Sequence, residues 1–281
     1  MSIKAAYGAL TAEQKQIIAE KKAEVKKPIG EIIPMLVQLA AFEKEAARVR
    51  GRSGCGFFLA VVAVPVLAII TGNGVLPPFI GWPLVLIDLA LTVFVATVYF
   101  RTRSVDLSAN LGAVAVPVLV MFRDDIDAAA PVEIRLDLRK PMADAKKVRQ
   151  SEPYKHGVYK KIVDVFYEDA WLAASAVLRD GNRLALSVTD TIRKRSKTKT
   201  MGGKTKTKLQ TAKRTEIDVD LTVKSKRFTI EPPPGATVKE GDGKRTVSVR
   251  KRTRSKNLTP IPPNEIIDVV TGLYSAVRPA Q

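Results

Sequence analysis

Residues 53–100 read SGCGFFLAVVAVPVLAIITGNGVLPPFIGWPLVLIDLALTVFVATVYF, with Asp88 as the only charged side chain. Two apolar runs, 55–71 and 83–100, each come close to the ~20 residues that a helix rising ~1.5 Å per residue needs to cross bilayer hydrocarbon. Between them GNGVLPPFIGW supplies Gly, Asn and two adjacent Pro, which break helices, and Trp82, of a type enriched at membrane interfaces. The pattern predicts a transmembrane helical hairpin. Arg48, Arg50 and Arg52 precede the first run, Arg101 and Arg103 follow the second, and the loop carries no charge. By the positive-inside rule both termini are expected in the cytoplasm. Some fifty mostly polar residues before the first apolar run are unlike a secretory signal. Cys55 lacks the preceding apolar stretch of a lipoprotein cysteine and reads as a small apolar residue. A carboxylate within a span is costly. With only Thr71, Thr92 and Thr97 as polar neighbours, Asp88 is expected to make an inter-helix or inter-subunit hydrogen bond rather than to line a conducting path.

Working outward, residues 1–52 are helical in pattern. Thr11-Ala-Glu-Gln14 resembles a capping box, and the helix formers after it predict a polar helix ending at Pro28. Apolar residues at 29, 32, 33, 36, 37, 40 and 41 then recur at helical spacing, with Pro34 as a kink or late start. This amphipathic helix either lies on the membrane surface or packs on the soluble part.

Beyond the hairpin, 111–122 is apolar but too short to span, and predicts a buried strand or short helix. The acidic run 123–127 lacks the Gly and distal Glu of a calcium loop and reads as a turn. From Pro131 the period becomes two: Val132, Ile134, Leu136 and Leu138 alternate with charged residues, which places one apolar face on a strand. Strands are expected over 162–167, 171–178 and 184–188, with a tight turn at Asp180-Gly181. They are also expected over 217–223 and 246–249, with a turn at 240–243, and 264–277 predicts a closing helix. The fold class expected is a membrane-anchored α+β protein. It divides into an N-terminal helical segment 1–52, the hairpin 53–100, and a mainly antiparallel β-rich cytoplasmic domain 101–281, sandwich or open barrel, with a C-terminal helix.

Composition limits the chemistry. The 281 residues hold one His and one Cys, which excludes an internal disulfide and the usual multi-ligand zinc site and leaves no choice among Ser-His-Asp and Cys-His nucleophiles. No metal, cofactor or catalytic set is expected. The net charge is +18, and residues 193–256 carry 21 Lys/Arg against 6 Asp/Glu, so most of the excess sits in one segment.

Within that segment, 193–214 reads RKRSKTKTMGGKTKTKLQTAKR and contains no acid. A two-residue turn at Gly202-Gly203 would set Met201 opposite Lys204, Thr200 opposite Thr205, Lys199 opposite Lys206, Thr198 opposite Thr207 and Lys197 opposite Lys208. Period-two alternation then puts the four paired lysines on one face and the threonines on the other. Like charges opposed in pairs destabilise a ribbon unless a polyanion neutralises them. Arg250, Arg252 and Arg254 form a second rail suited to phosphate. The candidate polyanion-binding residues are therefore Arg193, Lys194, Arg195, Lys197, Lys199, Lys204, Lys206, Lys208, Arg250, Arg252 and Arg254. The end of the ribbon spells Gly203-Lys204-Thr205, but the other positions of a phosphate loop are missing.

The partners expected are the membrane and a polyanion: nucleic-acid backbone, anionic lipid head groups or an acidic protein surface. Phe228 is the only aromatic between 193 and 256, so there is no stacking platform for bases. The function expected is that of a two-pass tether or assembly subunit. Two other readings remain open: a membrane-bound enzyme using Glu168, Asp169, Asp180 or Asp190, and a small transporter or channel centred on Asp88.

Overall fold

A computed structural model describes residues 3–201 and 204–279. The chain forms two compact units, Met1–Ala19 with Gln38–Asp106, and Glu20–Val37 with Leu107–Gln281.

The first unit is helical: α1 (Ile3–Gly8), α2 (Ala12–Glu20), most of α3 (Ile29–Gly72) and α4 (Pro78–Ser104). The capping box forms as expected. Gln14 donates its N–H to Thr11 Oγ1 at 3.2 Å, and Thr11 donates its own to Gln14 Oε1 at 2.8 Å. Gln14 is buried, and its Nε2 donates to Gln38 Oε1 at 3.0 Å. The first half of α3 buries Leu39, Phe42 and Ala46 at three- and four-residue spacing, with Tyr7 5.9 Å from Phe42 between ring centroids. No break separates this amphipathic half from the apolar half, because Pro34 falls near the helix start.

Among the described residues, α3 and α4 are the two helices long and apolar enough to cross a membrane, and only 11% of the most apolar stretch of each is buried. They meet through small residues and rings. Phe57 stacks on Tyr99 at 6.2 Å, Gly54 lies under the Tyr99 ring, and Gly81 sits against Thr71. Thr92, Thr97 and Thr102 donate to backbone carbonyls one turn back, which satisfies their hydroxyls within the helix. Arg50 closes the polar end on Asp106 at 2.8 Å.

The second unit is built on β1 (Lys22–Pro28), β2 (Pro131–Asp137), β3 (Lys147–Gln150), β4 (Tyr154–His156), β5 (Tyr159–Val177), β6 (Arg183–Met201), β7 (Lys204–Lys224), β8 (Phe228–Ile230), β9 (Thr237–Gly241), β10 (Lys244–Ser255) and β11 (Val277–Pro279). Its helices are α5 (Val116–Met121), entered from a π-helical turn at Leu111–Ala115, and α6 (Pro263–Tyr274). Nine strands make one antiparallel sheet in the order β1-β2-β5-β6-β7-β10-β9, with β3 and β4 also on β5; β8 pairs with β11 apart from it.

The nine-stranded sheet does not close on itself, and the other sheet among the described residues is the β8–β11 pair, so the expected sandwich or open barrel is not confirmed. One apolar face is covered by helices and needs no second sheet. Leu184, Leu186, Val188, Ile192, Ile217, Val219, Leu221 and Val223 form the buried row, and the helices add Leu111, Val114, Val118, Ile266, Val270 and Leu273. α6 contacts β7, β10, α5 and the π-helical turn.

The polar helix expected to run to Pro28 stops at Glu20. Lys21 takes a positive φ of 54°, and 22–28 pairs with β2 as an edge strand. Ala23 and Val25 are buried between exposed Lys22, Glu24 and Lys26, and this alternation outweighs the helix preference of Ala, Glu and Lys once a partner strand is present. Residues 162–178, expected as two strands, lie mainly in a single β5. A bulge inserts Trp171 between Ala170 and Leu172, burying both Trp171 and Leu172. The Asp180-Gly181 turn forms, with Gly181 at φ 81°, and Asp242-Gly243 turns β9 into β10 with both residues at positive φ.

Candidate polyanion-binding face

The expected ribbon register is found at every pair: Met201 opposite Lys204, Thr200 opposite Thr205, Lys199 opposite Lys206, Thr198 opposite Thr207 and Lys197 opposite Lys208. The Gly202-Gly203 turn itself lies outside the described residues. β6 and β7 continue from the core of the sheet into the ribbon without a break, so the buried row fixes which way each lysine points. Thr198 and Thr207 hydroxyls meet at 3.1 Å on one side. The lysines stand on the other.

The two basic rails share that side. Arg250 faces Asp218, Arg252 faces Glu216 and Arg254 faces Arg214 across β10 and β7, while Arg193 faces Ala212 and Arg195 faces Gln210 across β6 and β7. Of the eleven candidate residues only Lys194 points the opposite way, opposite Val165 and Thr211 in the row that continues the apolar core.

Neutralisation divides this face lengthwise. Arg250 binds Asp218 and lies 3.2 Å from Glu216, and Arg252 donates to Glu216 at 2.7 Å. Hydrogen bonding from Arg252, with the charges of Arg250 and Arg214, holds the Glu216 carboxyl below its usual range. Two of the three guanidiniums in the second rail are therefore already engaged. Arg195 is held by both carboxylate oxygens of Asp164, at 2.7 and 2.8 Å, and Asp164 also accepts the Tyr154 hydroxyl at 3.0 Å. That clamp fixes the root of the ribbon. Lys197 lies 5.3 Å above the Tyr159 ring. Among the described residues, Lys199, Lys204, Lys206, Lys208 and Arg254 have no acidic partner, and Arg193 forms no ion pair although its charge helps to lower the Asp164 carboxyl.

A notch of about 530 Å³ opens where β10 leaves the sheet at Ser255, opposite Lys213, while β7 continues; Arg193, Arg195, Gln210 and Lys256 line it. Lys256 and the Asp164 clamp were missed in the sequence, since both depend on strands that meet only in the folded sheet.

The acids considered for catalysis are dispersed or sealed. Glu168 is exposed, and Asp180 caps its own turn by accepting the Asn182 N–H at 2.9 Å and the Tyr274 hydroxyl. Asp169 and Asp190 lie directly opposite each other on β5 and β6 and are 0% and 2% exposed. Lys146 donates to Asp169 and reaches Asp137; Lys213 lies 3.6 Å from Asp190 and donates to the Thr259 carbonyl; Thr215 donates to Asp190. Burial pushes the Asp169 carboxyl above its usual range against the pull of Lys146. Asp190 had a sequence signal, since it occupies an inward position in the row Leu184, Leu186, Val188, Asp190, Ile192. Among the described residues no group of three His, Cys, Asp or Glu could hold a metal ion. Asp88 in α4 has a buried Oδ2 without a hydrogen-bond partner, and so has Thr71 Oγ1; the expected bond between the helices is not made by these atoms.

No protein family, curated protein or solved structure matches this chain.

Proposed function

We propose that the protein is a two-pass membrane protein whose sheet domain, on the cytoplasmic side with both termini, presents the β6–β7 ribbon to a polyanion and acts as a tether or assembly subunit. The observation that carries this reading is the opposition of Lys197 to Lys208 and Lys199 to Lys206 on one face of a ribbon that holds no acid. Stacking like charges in facing pairs costs stability, and an anionic partner converts that cost into binding. The membrane reading rests on two apolar helices with little of their surface buried, flanked by arginines and joined by an uncharged loop. The sealing of Asp169 and Asp190 supports a binding role over a catalytic one.

The test is binding of the full chain in detergent to duplex DNA, structured RNA and anionic vesicles, each at two salt concentrations. It compares the natural protein with a Lys197→Gln, Lys199→Gln, Lys206→Gln, Lys208→Gln variant. The expected result is salt-dependent binding whose salt dependence is much weaker in the variant. Equal binding by both proteins would refute the assignment of the site.

A further inference from the structure

We infer that the polyanion is the anionic head-group surface of the bilayer that the chain's own helices enter, and that the distal half of the ribbon docks on it. This rests on the reading proposed above and narrows it to one partner.

The first argument is the chemistry of the distal half. From Lys197 to Lys208 the cations are all lysines, five of them, whereas the arginines lie at the root. A guanidinium fork suits phosphates held at fixed spacing, while an ammonium on a four-carbon stem suits phosphates that diffuse laterally. The root is rigid, with Arg195 clamped by Asp164 and Tyr154. Past Thr198 the strands have only each other: the pairing of β5 with β6 ends at Lys161 opposite Thr198, and that of β10 with β7 at Ser255 opposite Lys213. Lys199, Lys204 and Lys206 are thus placed on a two-stranded projection, and the Lys197–Lys208 pair stands at its base, where Ile162 of β5 still lies opposite Lys197.

The second argument is apolar. Met201 follows Lys199 on the lysine face at the described tip and is 75% exposed, and Leu209 on the threonine face is 60% exposed. A flexible apolar side chain at the end of a cationic strip suits entry into the head-group layer, with lysine stems lying along the boundary. Nucleic acid fits less well, because 193–214 holds no aromatic for stacking and Gln210 is its only side-chain amide.

The third argument is proximity. Each basic side chain near an anionic leaflet multiplies occupancy about fivefold. In a chain that carries its own membrane helices the contact is intramolecular, so even a few lysines give high occupancy.

The experiment uses the full chain with Cys55, its only cysteine, changed to Ala, and Thr200→Cys labelled with an environment-sensitive fluorophore. The protein is reconstituted into vesicles of phosphatidylcholine alone or of phosphatidylcholine mixed with phosphatidylglycerol. The expected result is a blue-shifted emission and severalfold protection from an aqueous quencher in the anionic vesicles only. Both are lost at high salt and in the four-lysine glutamine variant. If the two vesicle types behave alike while added duplex DNA protects the probe, the lipid inference falls and the polyanion reading stands. If neither vesicles nor nucleic acid change the probe, both fall.

Discussion

Lys146 Nζ lies 2.6 Å from Asp169 Oδ1 inside the sheet domain, with the two side chains 3% and 0% exposed. The lysine comes from the short segment before β3, and the aspartate from the bulged middle of β5. Lys146 also reaches Asp137 at 3.2 Å and donates to the Arg139 carbonyl at 3.1 Å, so one ammonium serves three acceptors from two other segments. Removing it leaves Asp169 buried without its cation, and breaking one side of a buried pair costs about 3–5 kcal/mol. Lys146→Met is expected to lower the thermal midpoint of the sheet domain by roughly 10 °C, at about 2–4 °C per kcal/mol for a domain of this size. The double variant Lys146→Met, Asp169→Leu should recover much of that loss. Circular dichroism melts of the three proteins check it, and a double variant no better than the single one would sink the argument.

Asp137 predicts an acid limb. Burial acts to raise its carboxyl, but hydrogen bonds from Arg139 and the charge and hydrogen bond of Lys146 outweigh it and bring it to about 2. A carboxylate lowered by folding adds stability that is complete above its unfolded value of about 4 and is lost as pH falls through the folded value. Denaturant midpoints are therefore expected to fall between pH 4 and pH 2. Asp164, lowered by its bond to Arg195, adds in the same direction. Asp169, raised by burial, acts in the opposite sense. Asp137→Asn should be less stable at neutral pH and should show a shallower decline over that acid window. An unchanged slope would assign the limb to other groups.

How much of this was legible depends on how local each feature is. The ribbon register follows from one Gly-Gly centre and its flanking alternation, so every pair from Met201–Lys204 to Lys197–Lys208 is found as expected. The capping box at Thr11 is equally local. By contrast, β1 was hidden because Lys22–Pro28 is a good helix sequence until β2, more than a hundred residues later, supplies a partner. The neutralisation of Arg250 and Arg252 was hidden for the same reason. Asp218 and Glu216 lie across a strand pair whose register is set by the β8–β9 excursion rather than by a short hairpin loop. Trp171 read as one more strand residue, and only the register shift against β6 shows the bulge that buries it.

Gly81 of α4 lies directly against the Thr71 side chain of α3. A Cβ at Gly81 would stand 2.3 Å from Thr71 Oγ1 and 2.4 Å from its Cγ2, distances no relaxed structure allows. Close packing at small residues is a main source of helix association in lipid. Gly81→Val should therefore loosen the hairpin, measured as faster proteolysis of the detergent-solubilised chain between 72 and 82. Gly81→Ala should do less, and Thr71→Gly should restore Gly81→Ala. If Gly81→Val resists protease like the natural protein, the two helices do not depend on this contact.

The facing lysines allow stability and binding to be driven apart. Lys206→Glu with Lys208→Glu would turn both like-charge pairs, with Lys199 and Lys197, into opposite-charge pairs. Such cross-strand pairs contribute about 0.2–1 kcal/mol each relative to neutral ones, and the repulsion they replace is removed as well. The ribbon should become more protected in amide exchange over 197–208 while affinity for anionic vesicles and polyanions collapses, because the net charge of the face changes by −4 in a segment that carries no acid of its own. A residue set selected only for folding would gain stability and lose nothing else. A gain in protection with undiminished binding would thus remove the lysine face from the function, whereas opposite changes in the two measurements would identify the repulsion as the cost of the site.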